Sequence, residues 1–142
     1  LVSERLRPQL DEGSVVLCDR FYDSTTAYQG GGRRVADPVW LSGFHRRVTG
    51  GLIPDRTFLL RIPVTVASGR RAGREADRME SAGPDFFERV AVAYERMAAD
   101  EPDRFIVLDG TRSIASLHDE IWSDITGRLQ QDAARLRRGT AR

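Results

Sequence analysis

The chain has 142 residues, enough for one domain with one hydrophobic core. Its 22 basic residues, none of them lysine, are balanced by 21 acidic ones to a net charge of +1, so no strong field recruits nucleic acid or a membrane surface. One cysteine excludes an internal disulfide, and no apolar run approaches the length of a membrane span, so the expectation is a cytoplasmic protein.

Residues 1–10 carry apolar side chains at Val2, Leu6 and Leu10, the spacing of one helix face, with Pro8 bending or ending the helix and Asp11-Glu12-Gly13 as its exit turn. The segment begins without a cap, as a chain cut into an existing helix would. Val15-Val16-Leu17-Cys18 then forms a continuous apolar run, the kind of strand that a parallel sheet buries on both faces, with Cys18 as a small buried filler. It ends in Asp19-Arg20, and the carboxyl end of a buried strand is where open α/β sheets place their ligand chemistry. A guanidinium can fork two oxygens of a phosphate while a nearby acid orients it or a hydrated Mg²⁺. The bland alternative is an ion pair of Arg20 with Asp19 or Asp23.

Ser24 to Gln29 reads as the first turns of a helix capped by Ser24 or Asp23 and stopped by Gly30-Gly31-Gly32. A second helix starts with Asp37 as cap and Pro38 at the first position, burying Val39, Leu41, Phe44 and Val48 and ending at Gly50-Gly51. After the turn at Pro54-Asp55, Thr57 to Ile62 is the next strand, and Pro63-Val64-Thr65 opens a helix that runs into an arginine-dense, glycine-flanked segment from Gly69 to Arg78. Asp85 to Ala99 is amphipathic, with Phe86 or Phe87, Val90, Ala93, Tyr94 and Met97 on its buried side. Phe105 to Leu108 is a third strand, and Ser113 caps a final helix through Ile114, Leu117, Ile121, Trp122 and Ile125. From Gln130 on, a basic tail with Arg135, Arg137 and Arg138 is expected to be mobile. His45 and His118 lack a metal-like partner spacing and read as ordinary surface positions, so no metal-ligating set is assigned.

Strands followed by helices imply a mostly parallel α/β sheet with right-handed crossovers. The string Asp19-Arg20-x-x-x-Ser24-x-x-Ala27-Tyr28-Gln29 closely resembles the signature after the third strand of thymidylate kinases. Gly51 to Leu60, with Pro54-Asp55-Arg56-Thr57, resembles that family's strand entry. Asp77-Arg78-Met79-Glu80 resembles its lid end, and Asp85-Phe86-Phe87-Glu88-Arg89-Val90 its next helix. The resemblance extends from Leu1 to Leu129, which sets the expected domain at 1–129 and the tail at 130–142. It implies a three-layer α/β/α fold of the P-loop NTPase type and transfer of the γ-phosphoryl group of ATP, with Mg²⁺, to dTMP in dTTP biosynthesis. It also implies a homodimer.

By the same resemblance Arg20 clamps the acceptor phosphate, and Asp19 orients Arg20 or accepts from magnesium-bound water. Tyr28 lies against the thymine or sugar, while Ser24, Thr25 and Gln29 hydrogen-bond its polar edge. For Tyr28 alone, core packing stays an equal alternative. Arg70, Arg71, Arg74 and Arg78 belong to the lid that meets the donor phosphates, with Arg74 as the catalytic member. The lid is slightly shorter than the family pattern, which leaves open which arginine takes the working position.

These 142 residues contain no lysine and hence no P-loop of the kind whose glycines cradle phosphate and whose lysine neutralises it, so the chain reads as the carboxyl-terminal portion of such an enzyme. In the family, the P-loop strand lies between the strands represented here by Val15 to Cys18 and Thr57 to Ile62. Its absence is expected to leave two apolar edges facing each other across a gap, inviting aggregation or completion by another chain. A deoxynucleoside kinase and a non-catalytic nucleotide-binding or interaction module are the alternatives. Nucleic-acid binding through the arginines is a remote one.

Overall fold

Thr57–Arg61 (β1) and Phe105–Asp109 (β2) pair in parallel, from Thr57 opposite Phe105 to Arg61 opposite Asp109, in the computed structural model, which describes residues 2–71 and 83–139. Parallel neighbours need a long crossover, and helices occupy much of it here. Val64–Arg71 (α4) follows β1, and Pro84–Asp100 (α5) precedes β2. Phe105 and Leu108 are buried.

The strand expected over Val15 to Cys18 does not form. Residues 14–18 are pathed without sheet pairing, with Val15 66% and Leu17 89% exposed and Cys18 exposed rather than a buried filler. A run of β-formers carries a preference for extended backbone, but its amides and carbonyls make a strand only when a neighbour accepts them, and no described strand lies beside this one.

At the amino-terminal side a π-helical stretch, Val2–Leu6, leads into the short helix α1 (Arg7–Asp11), with Pro8 in its first turn, where a missing N–H costs nothing. The turn beyond it uses Gly13 at φ +82°. Arg7 reaches across to donate to the carbonyls of Thr49 and Gly50, which end the helix Pro38–Val48 (α3). Helix α3 starts as the sequence dictates, with Asp37 Oδ1 accepting from the backbone N–H of Val39 at 2.8 Å and of Trp40 at 3.1 Å.

Its buried face differs from the expected one. Leu41, His45 and Thr49 are buried, whereas Val39, Phe44 and Val48 are exposed. Positions 41, 45 and 49 form one helical stripe, and that stripe meets the segment Thr26–Gly32.

That segment follows helix α2 (Tyr22–Thr25) and continues as π-helix through the glycines that were expected to stop it. None of the three has a positive φ; they are needed for close approach instead. A Cβ at Gly31 would stand 2.5 Å from Ala93 Cβ, one at Gly32 2.5 Å from the Phe86 ring, and one at Gly30 2.8 Å from Leu41 Cδ1. The resulting contact with α5 holds the core: Ala27, Phe86 and Val90, flanked by Tyr28, Phe87, Ala93, Tyr94 and Met97.

Helix α6 (Ile114–Gly139) begins with Ser113 Oγ accepting from the Ser116 N–H at 3.2 Å, as expected, and continues past Leu129 through the segment expected as a tail. Arg56 ties it down through a fork onto Asp124, both bonds 2.9 Å. Among the described residues no helix is long and apolar enough to cross a membrane.

Candidate functional site

Arg20 stands at φ +69°, in the left-handed region that a residue with a Cβ rarely enters. The conformation lies in a bend between the unpaired residues 14–18 and helix α2. The Arg20 guanidinium carbon lies 5.5 Å from the Tyr28 ring centroid, within cation–π range. Asp19 and Arg20 are both exposed, and among the described residues Arg20 makes no ion pair.

Asp23, the other expected partner of Arg20 and one of the expected helix caps, is committed elsewhere. Phe21, in extended conformation, is the residue at the cap of α2, and Asp23 lies buried inside the first turn. Its carboxylate takes a two-pronged fork from Arg104, Nη1 to Oδ2 at 2.8 Å and Nη2 to Oδ1 at 2.9 Å. Arg104 also donates to both carboxylate oxygens of Glu101, at 2.8 and 2.9 Å, and to Thr57 Oγ1 at 2.8 Å, which occupies all its donors. Its guanidinium stacks over Phe105 at 4.3 Å and approaches the Tyr22 ring at 5.9 Å. Burial works against the charge on Arg104, yet its hydrogen bonds to Asp23 and Glu101 outweigh it and raise its pKa further. The Arg104 hydrogen bond in turn holds the Glu101 carboxyl below its usual range.

Ser24 is not the cap either; its Oγ accepts from the Tyr94 hydroxyl at 3.1 Å, which ties α2 to α5. Burial is the main reason the Tyr94 hydroxyl titrates above its ordinary range. Thr25 is exposed and Gln29 half-buried. Tyr28 takes the core-packing role left open by the sequence, edge-on against Phe86 at 5.9 Å between centroids, while its ring carries Arg20. Arg89 Nε donates to the Gly32 carbonyl at 2.9 Å and fixes the far end of the same segment.

His45 is a correction, for it is only 5% exposed rather than a surface residue. Its ring stacks on Tyr22 at 5.0 Å and its Nδ1 lies 3.3 Å from Thr26 Oγ1. Burial lowers its pKa, partly opposed by Asp23. His118 is exposed beside Trp122, as expected of a surface position.

The backbones of Arg70 and Arg71 form the last turn of α4. Arg74 and Arg78, with the stretch Asp77 to Glu80, lie outside the described residues. Among the described residues no three His, Cys, Asp or Glu side chains converge as metal ligands. Among the described residues a Mg²⁺ bound here would find the exposed carboxylate of Asp19, a donor that suits an ion arriving on phosphates.

The structure thus brings Arg20 and Tyr28 together, a cation that makes no ion pair among the described residues laid over an aromatic face, with Ser24, Thr25 and Gln29 on the same continuous stretch. Such a surface suits a planar ring bearing an anion. Of the residues that hold it, Arg104 and Glu101 were not singled out from the sequence, Tyr94 was read only as part of a buried helix face, and His45 as a surface position. Arg104 offered one weak signal, a cation placed directly before an otherwise apolar strand.

A family model described as thymidylate kinase matches residues 1–121. The thymidylate kinase of Cupriavidus necator is 47% identical over 121 residues, covering 84% of this chain and 59% of that protein. The thymidylate kinase of Deinococcus radiodurans is 44% identical over 129 residues, covering 90% and 62% respectively. A crystal structure of thymidylate kinase from Ehrlichia chaffeensis superposes with a TM-score of 0.64 at 26% identity, covering 87% of this chain and 56% of that one. The chain therefore spans about 60% of the length of these curated relatives, 59% and 62% in the two cases. The helices and the parallel strand pair are accordingly part of an α/β fold of the P-loop NTPase type, and the chain belongs to the thymidylate kinase family.

Proposed function

We propose that these residues form the acceptor side of a dTMP kinase, which transfers the γ-phosphoryl group of ATP to dTMP to give dTDP, a step toward dTTP. The observation that carries this is Arg20: a cation in left-handed conformation, without an acid partner among the described residues, laid over the ring of Tyr28. Bringing two anionic phosphates into line is mainly a matter of positioned positive charge, and a cation already paired with a carboxylate would be poorly available for it.

In this proposal Arg20 clamps the dTMP phosphate, and Asp19 accepts from magnesium-bound water or orients Arg20 once the phosphate is bound. Tyr28 faces the thymine or sugar, and Ser24, Thr25 and Gln29 meet the polar edge. Arg70, Arg71, Arg74 and Arg78 supply the lid that meets the donor, with Arg74 as the catalytic arginine. Mg²⁺ enters with ATP and neutralises phosphate charge. The proposed setting is a cytoplasmic homodimer.

Calorimetric titration of the chain with dTMP tests the proposal. Saturable binding is expected, weakened by Arg20→Ala by about 1.5–3 kcal/mol, the worth of hydrogen bonds to a charged group. With ATP and Mg²⁺ added, little dTDP is expected, because these 142 residues contain no lysine-bearing glycine loop for the donor. Absence of heat with dTMP, or equal affinity in Arg20→Ala, would overturn the assignment.

A further inference from the structure

Arg20 is held in an unfavourable backbone conformation, and such conformations persist only where the surroundings over-determine them. On its amino-terminal side nothing described does so, since residues 15–19 make no hydrogen bond or ion pair among the described residues. Among the described residues the hold comes from the carboxyl-terminal side. There, three residues beyond Arg20, the Asp23 carboxylate receives the two-pronged fork of Arg104, and the neighbouring Tyr22 ring lies against the same guanidinium.

Arg104 itself is anchored from two other directions. It sits immediately before β2, hydrogen-bonds Thr57 at the start of β1 and both oxygens of Glu101 just beyond α5, and stacks on Phe105. One side chain therefore connects the sheet and the end of α5 to the first turn of α2. We propose that Arg104 is a positioning residue for the acceptor site: through Asp23 it fixes where α2 begins, and so holds Arg20 over Tyr28. The inference rests on the assignment of Arg20 to the acceptor phosphate, but the mechanical part of it can be judged separately.

A buried ion pair can be lost in two ways with different consequences. Removing one partner leaves a buried charge uncompensated, whereas replacing both with apolar side chains of similar size removes that penalty. The test compares Arg104→Met, Arg104→Lys and the double variant Asp23→Leu/Arg104→Met with the parent chain. Three readouts are taken: thermal unfolding, amide hydrogen exchange of residues 20–28, and affinity for dTMP. Arg104→Met is expected to lower the unfolding temperature, to speed exchange in residues 20–28 roughly tenfold or more, and to weaken dTMP binding by a similar factor.

The double variant should recover much of the unfolding temperature while exchange stays fast and binding weak. Arg104→Lys keeps the charge but not the fork, so it should stay impaired in both. Slow exchange in residues 20–28 in any folded variant lacking the fork, or a double variant that regains stability and affinity together, would overturn the proposal. If the parent chain binds no dTMP, the acceptor-site assignment fails, and the exchange data alone decide what Arg104 does.

Discussion

Two short runs of this chain are written almost alike. Val15-Val16-Leu17-Cys18-Asp19 and Phe105-Ile106-Val107-Leu108-Asp109 each place four apolar residues before an aspartate. The second is β2, paired along its length with β1, with Leu108 2% exposed. The first belongs to no strand, is unpaired among the described residues, and leaves Val15, Leu17 and Cys18 exposed. Helices repeat the contrast. On α5, Phe86 and Val90 are buried against the glycine-rich π-helical segment, whereas on α3 Trp40 and Phe44 stack on each other at 5.2 Å in the open. An apolar pattern marks a surface that can be buried; a partner of matching shape decides whether it is.

If that is so, the largest effects belong to the covered half. Phe86 touches Ala27, Tyr28 and Phe87 and lies under Gly32, so truncating it opens a cavity in the only core cluster seen among the described residues. Phe86→Ala is expected to cost about 3–5 kcal/mol, measured by urea unfolding. A loss under roughly 1 kcal/mol would mean that this contact does not hold the fold.

The glycines sharpen the same contrast by changing sign across the molecule. An added Cβ at Gly31 would overlap Ala93 on α5, whereas at Gly43, in the middle of α3, nothing lies within 4 Å. Gly31→Ala should therefore destabilise by about 1–3 kcal/mol through overpacking. Gly43→Ala should stabilise by about 0.4–1 kcal/mol, because it restricts the unfolded chain and fits a helical backbone. Equal effects at the two positions would show that the close approach of the π-helical segment to α5 is not present in solution.

Much of the architecture was legible before the structure. Asp37-Pro38, Ser113 and the spacing of Phe86, Val90, Ala93, Tyr94 and Met97 act through local geometry, so caps and a helix face could be read from them. What failed was whatever depended on a distant partner. The burial of His45 depends on Tyr22 and Thr26, and the commitment of Asp23 to Arg104 spans 81 positions of sequence. The glycine run was misread because glycine has two uses, permitting a turn and permitting contact, and the choice between them lies in what faces it. In the site, Arg20 and Tyr28 stood out because both belong to one short signature; the residues that hold them come from α3, α5 and the turn between α5 and β2.

The smallest expected effect tests the open half directly. Leu17 is 89% exposed, so Leu17→Ser removes little from any core and should change stability by less than about 0.5 kcal/mol. Its counterpart Leu108 is covered on β2, and Leu108→Ser should cost several times more, because it both empties a packed site and buries a hydroxyl. A loss at Leu17 approaching that at Leu108 would mean that the segment is covered in solution by something other than the residues described. Repeating the Leu17→Ser measurement over a range of protein concentration then separates the causes: a cost that grows with concentration identifies a second chain as the cover, whereas a constant cost places the cover within the same chain.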